Sequence, residues 1–304
     1  MFDEEYADQV RLLLRCIPEI EKHKCFALKG GSAINLFLRD MPRLSVDIDL
    51  TFLPLSSRDK ALGTISDTLL QIRRDITLRV PGASVQEQIR DEKVAKLIVS
   101  DSDAVIKIEP NPVIRGSVFP AVNRSVHQRV EDIFEMFASM QTLEPEELYA
   151  GKICAALDRQ HPRDLFDITL LLDDEGGITA KLASVFAVYL ASHRRPMNEL
   201  LNPRFHDISD AYDSSFRGMS RLSVSLDELK DVQFKLPNLI VDSMSNNDRE
   251  FLISIKEARP DWSLLPFSNT QDLPAIKWKL RNIRRMSADK HREYLDKLRK
   301  VLGV

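Results

Sequence analysis

The chain opens on a helical pattern. Tyr6, Val10, Leu13, Leu14 and Ile17 recur at spacings of three and four, so residues 4–17 read as an amphipathic helix. The short apolar run from Cys25 to Leu28 ends at Gly30-Gly31 and reads as a buried strand. Ser32 begins a second helix that carries Ile34, Leu36, Phe37 and Leu38 and stops before Pro42. In RLSVDIDLTFL, residues 43–53, alternation is strict: Val46, Ile48 and Leu50 take one face, and Ser45, Asp47, Asp49 and Thr51 the other. Helical spacing returns over 57–74, and strand-like stretches follow near 76–80, 94–100 and 103–109 before Pro110, Pro112 and Gly116 interrupt the pattern. Beyond about residue 130 helices dominate, at 130–139, 145–158, 163–173, 178–193 and 275–302. Residues 196–262 carry the weakest signal. The expected organisation is α+β, with a sheet-bearing part over 1–125 and a mainly helical part over 126–304.

Composition narrows the classes. The chain has 304 residues, 43% hydrophobic and 29% charged, which is ordinary for globular proteins. Its acidic opening, MFDEEYADQ, lacks the layout of a secretory signal, and no apolar run approaches the roughly 20 residues of a membrane helix. Cys16, Cys25 and Cys154 form no CxxC and read as free thiols of a reducing cytoplasm. The six histidines offer no zinc spacing. A formal charge of -3 excludes a uniformly basic nucleic-acid binder. Between Lys277 and Lys300, however, ten Lys and Arg face three Asp and Glu. Such a run is ordinarily a solvated helix face, but it also suits a polyanion.

The strongest chemical constellation is Gly31-Ser32 followed, on the next strand, by Asp47-Ile48-Asp49. Two carboxylates at i and i+2 of a strand share a side and suit hard cations. A Gly-Gly-Ser turn before a helix offers backbone N–H groups and a hydroxyl to phosphate. Each element alone has a plainer meaning, a turn or a solvated sheet face; their order together is less readily accidental.

The run LKGGSAINLFLRDMPRLSVDIDLTF, residues 28–52, resembles the signature of the AbiEii/AbiGii toxin nucleotidyltransferases, within the polymerase-β-like superfamily. A second block, ELYAGKICAALDRQHPRDLFDI at 147–168, is similar to the family's helical lysine with an Arg-Asp-x-x-Asp-like segment downstream, here Lys152, Arg163-Asp164 and Asp167. A weaker likeness covers LPAIKWKLRNIRRM, residues 273–286. HPRDLFD superficially resembles a kinase catalytic loop but lacks the downstream Asn and DFG.

The resemblance implies a polymerase-β-like nucleotidyltransferase domain with a mixed sheet and a helical C-terminal domain, with the active site in a cleft between them. It implies transfer of a nucleoside monophosphate from an NTP, by a toxin of a toxin–antitoxin or phage-defence pair. The expected acceptor is the tRNA 3′ end or another RNA, and a cognate antitoxin is an expected partner. Asp47 and Asp49 would bind Mg²⁺, as a two-metal site. Gly31, Ser32 and Lys152 would hold the triphosphate, and Asp167 would serve as a base. Glu109, with Lys107 on its face, is a candidate third metal ligand or a salt-bridged structural residue. Arg43 is expected at the surface, with a phosphate contact as the alternative. Trp278 is read as a helix anchor or a base-stacking ring. Transfer to a small molecule or to a protein, as in AMPylation, would keep the same residues; a silent binding module would leave gaps in them. Cleft residues should be near the surface, so Asp47→Ala or Lys152→Ala is expected to abolish activity and leave the fold intact.

Overall fold

The structure is a computed structural model that describes residues 2–173 and 177–304. Its contacts divide the chain into two units, Met1–Leu148 with Arg217–Ser223, and Tyr149–Phe216 with Val224–Val304. Among the described residues of the first unit, seven strands form one sheet: β1 (Phe26–Lys29), β2 (Asp47–Phe52), β3 (Ser84–Arg90), β4 (Lys93–Ser100), β5 (Val105–Pro110), β6 (Val122–Ser125) and β7 (Ser139–Thr142). Their order is β3-β4-β5-β2-β1-β7-β6. The sheet is mixed, as expected. β2 runs antiparallel to β1 but parallel to β5, and β1 runs parallel to β7.

Alternation decides the faces. Ile48 and Leu50 of β2 and Ile106 and Ile108 of β5 are fully or almost fully buried, while Asp47, Asp49, Lys107 and Glu109 lie on the opposite face. Helix α1 (Glu4–Glu21) buries the stripe read from sequence and packs on β5 and β7. Between β1 and β2, α2 (Gly30–Ser32) runs on into a π-helical turn over Ala33–Leu38, where the Arg39 N–H donates to the Ile34 carbonyl at 2.8 Å.

Several elements differ from the sequence reading. The strand expected at 76–80 is the last turn of α3 (Arg58–Arg79), because Ile76 continues the buried stripe of Ile65, Leu69 and Ile72. β3 pairs with β4 across Asp91-Glu92, whose φ angles of 50° and 61° give the turn that matches strand twist. The helix expected at 130–139 ends earlier, as α4 (Gln128–Phe134), at the left-handed Glu135. The sheet also continues past the expected 125/126 boundary, since β7 pairs with β1 and β6. The β1–β7 pairing joins Leu28 to Thr142, more than a hundred positions apart, which no local period reports.

In the second unit the helices are α5 (Pro145–Arg159) from Tyr149 on, α6 (Pro162–Asp173), α7 (Ala180–Ser192), α8 (Met197–Leu201), α9 (Ser209–Ser215), α10 (Leu226–Ser243), α11 (Asn246–Lys256), α12 (Pro274–Arg284) and α13 (Ala288–Leu302). Phe166, Phe186 and Phe251 are fully buried in it. The helix expected over 275–302 is two helices, broken after Arg284. The signal-poor stretch 196–262 holds four of these helices. Two begin at capping boxes, Ser225 with Glu228 and Ser245 with Asp248, so a start signal was present in the sequence.

Candidate functional site

The Gly30-Gly31 turn sits against the acidic strand, and the geometry requires glycine. Gly30 has φ +73°, and a Cβ on it would lie 2.6 Å from Asp49 Oδ2. A Cβ on Gly31 would lie 2.6 Å from Ser45 Oγ and 2.8 Å from an Arg43 guanidinium nitrogen. Bare Cα atoms therefore let a carboxylate and a guanidinium close on the turn. Ser32 is 1% exposed; its hydroxyl donates to the Asp47 carbonyl and lies 3.1 Å from Ser45 Oγ. The hydroxyl thus fastens the turn to the start of β2.

Asp47 and Asp49 are partly exposed on one face of β2. Strand register sets Lys107 beside Asp47, and Lys29 and Glu109 beside Asp49. These neighbours share the face, because paired residues point to the same side. Glu109 is ion-paired to Lys96 at 3.2 Å and is half exposed. Lys96 and Glu109 also line a groove of about 550 Å³ bounded by the start of α3 and the β3–β4 hairpin.

Arg43 departs from expectation. It is 2% exposed, and its guanidinium donates to the Leu44 carbonyl at 2.8 Å while lying against Gly31.

Among the described residues, no three or more His, Cys, Asp and Glu side chains form a cluster able to hold a metal. The Asp47–Asp49 pair still fits a hard cation of the Mg²⁺ type, which takes one or two protein carboxylates and completes its shell with water and phosphate oxygens. The turn beside it supports that fit, because no side chain at position 30 fills the space next to Asp49.

Lys152, Asp164 and Asp167 gather inside the second unit. The Lys152 ammonium lies 2.9 Å from Asp164 Oδ1 and 2.9 Å from Asp167 Oδ2. Both carboxylates are fully buried, and Lys152 is 5% exposed. Arg159, which the sequence reading missed, closes on Asp164 with nitrogen–oxygen distances of 2.5 and 2.9 Å. Burial opposes ionisation of Asp164, but Lys152 and the Arg159 fork outweigh it and hold the carboxyl well below its ordinary range. The expectation that Lys152 lies near the surface is therefore corrected. Helix periodicity put Asp164 and Asp167 on one face without indicating that the face is internal.

The face of α12 carries Lys277, Arg281, Arg284 and Arg285 around a depression of about 330 Å³. Trp278 is 43% exposed, and no described helix is long and apolar enough to cross a membrane. The three cysteines are free, with Cys16 and Cys154 buried.

A family model described as "Nucleotidyl transferase AbiEii toxin, Type IV TA system" matches residues 11–282. Among solved structures, the chain is similar to MenT4, a nucleotidyltransferase toxin from Mycobacterium tuberculosis H37Rv. The identity is 13% and the TM-score 0.51, over 98% of this chain and 92% of that one. At that identity the likeness shows the fold. No curated protein matches the chain in sequence.

Proposed function

The chain belongs to the AbiEii nucleotidyltransferase toxin family of type IV toxin–antitoxin systems, and from that premise we propose that Asp47 and Asp49 are the centre of an Mg²⁺-dependent transfer of a nucleoside monophosphate from an NTP to the 3′ end of a tRNA. The observation that carries the site assignment is the Gly30 turn, whose missing side chain leaves the Asp49 carboxylate lying against it.

In this reading Asp47 and Asp49 would hold the divalent cation, and Glu109, ion-paired to Lys96, is the candidate third ligand. A cation held there would supply positive charge to the phosphate oxygens of the NTP. Gly30 and Gly31 leave the backbone approachable by the triphosphate. Ser32 keeps the turn in register with Asp47. Arg43 adds a fixed positive charge behind Gly31. Lys107 and Lys29 flank the carboxylates on the sheet face and offset developing negative charge on the substrate. The roles implied for Lys152, as a phosphate contact, and for Asp167, as a base, remain part of the proposal.

The acceptor assignment has support from α12. Lys277 is paired to Asp272 at 2.9 Å, whereas Arg281, Arg284 and Arg285 make no ion pair among the described residues. Guanidiniums so presented suit a phosphate backbone. A cognate antitoxin belongs to any system of this family.

The test is incubation of the purified protein with each α-³²P-labelled NTP, Mg²⁺ and total tRNA, resolved on a denaturing gel beside Asp49→Asn. A labelled tRNA band absent from the variant is the expected result. Label on protein or on a small molecule would replace the RNA acceptor with that class, and equal labelling by Asp49→Asn would remove the site assignment.

A further inference from the structure

The second unit holds two buried lysines that no role above uses. Lys256, closing α11, and Lys279, within α12, are 5% and 7% exposed. The Lys279 ammonium donates to the Arg195 carbonyl at 2.7 Å. The Lys256 ammonium lies 3.6 Å from Met286 Sδ and 5.3 Å from the centre of the Tyr294 ring. Neither is ion-paired to a carboxylate among the described residues. Lysine is almost never this buried without such a partner, since an unpaired charge is costly to take from water. Burial pushes Lys279 down to about 8, with Lys256 adding to the effect and Cys154 and Glu199 opposing it. Burial also lowers Lys256, with Lys290 contributing.

Both side chains line a cavity of about 100 Å³, together with Arg194, Asn198, Asn282 and Trp278. No Asp or Glu lines it among the described residues. Glu199, the carboxylate acting on Lys279, is engaged by Arg195 at 3.8 Å and by the Tyr294 hydroxyl at 3.4 Å. The side-chain amides of Asn198 and Asn282 make no hydrogen bond among the described residues, so they add free donors to the cations. A cavity enclosing a drug-sized ligand measures about 300–1,000 Å³, so this one is too small for a whole nucleotide and larger than the ~30 Å³ share of one water.

We infer that this cavity binds a small tetrahedral oxyanion, a phosphate ion or the phosphate of a monoester. Two buried ammoniums match a dianion in charge, and Arg194 with the two amides supplies donors for the remaining oxygens. A carboxylate would bring one charge and two oxygens, leaving part of this donor set unanswered. The pocket shares no residue with the Asp47–Asp49 face.

The experiment is calorimetric titration of the full chain with inorganic phosphate and, separately, with adenosine 5′-monophosphate, in phosphate-free buffer at constant ionic strength. The wild type is expected to bind phosphate saturably. Binding of both probes assigns the site to a phosphate with or without an ester, and binding of inorganic phosphate alone assigns it to the free ion; both outcomes support the inference. Lys279→Met and Asn282→Asp, the latter placing a carboxylate among the lysines, should each weaken phosphate by about tenfold or more. Asn282→Asp should also raise the melting temperature without phosphate, and Asp47→Ala should leave phosphate binding unchanged. Arg194→Ala, at an exposed side chain, supplies the same comparison should a buried variant fail to fold. Absence of saturable binding by the wild type overturns the inference. So does binding that survives the pocket variants, or binding lost in Asp47→Ala.

Discussion

Lys152→Ala is the perturbation that most sharply separates support of the fold from chemistry. The side chain is 5% exposed and bridges two fully buried carboxylates at 2.9 Å each. Without it, Asp164 keeps its fork to Arg159, but each of the two buried carboxylates loses an ammonium 2.9 Å away. Removing one partner of a buried ion pair costs about 3–5 kcal/mol, because the remaining charge stays desolvated. Against a total stability of about 5–15 kcal/mol that is a large fraction. At about 2–4 °C per kcal/mol for chains of somewhat smaller size, the melting temperature should fall by roughly 6–20 °C. The second variant removes the imbalance: Lys152→Met with Asp167→Asn leaves Arg159 opposite Asp164 and replaces the lost contacts with similar volume. Its melting temperature should recover most of the loss. Differential scanning fluorimetry reads both variants, and the tRNA-labelling gel is then run on the folded double variant. We expect it to be folded and inactive. A melting point for Lys152→Ala close to that of the wild type would refute the buried-charge argument. Wild-type turnover by the double variant would refute the phosphate and base roles of Lys152 and Asp167.

Other outcomes follow from the same geometry. Gly30→Ala places a side chain in a left-handed backbone position at a cost of about 1–2 kcal/mol, and its Cβ displaces the Asp49 carboxylate; the expected result is a folded protein with lost transfer, and wild-type labelling would contradict it. Arg281→Ala, Arg284→Ala and Arg285→Ala combined should weaken tRNA binding and flatten the slope of log K against log salt by about 2–3, at close to one counterion per phosphate contact. A filter-binding series over salt concentrations that gives parallel lines would exclude α12 from the interface. For Lys279, the folded value of about 8 lies below the ordinary 10.5. The unfolded chain then binds more protons between those values, so this group's contribution to stability rises with pH across that window and its penalty is complete below pH 8. Lys256, Cys154 and Glu199 act on the same site, so the readout is the difference between wild type and Lys279→Met in phosphate-free buffer. The variant should be more stable at pH 7 by up to about 3 kcal/mol, with the gain shrinking towards pH 10; a gain constant with pH would contradict the assignment.

What the sequence by itself determined is what local periodicity and motif spacing encode. Strict alternation placed Asp47 and Asp49 on one face of β2 opposite Ile48 and Leu50, and the Gly-Gly turn marked the backbone approach. The stripe of α1 and the helices α5 to α7 were legible because each buries residues at helical spacing. The tertiary structure decided whatever depends on partners distant in the chain. β3, β6 and β7 are short or largely exposed, and they become strands through pairing with neighbours rather than by their own pattern. Burial of Lys152, Arg43 and the Lys256–Lys279 pair was equally invisible, because a charged residue in sequence looks the same in water or in a core. Only the packing around it fixes whether its charge is solvated, paired or held against a cavity, since that free energy depends on surroundings the local sequence does not contain.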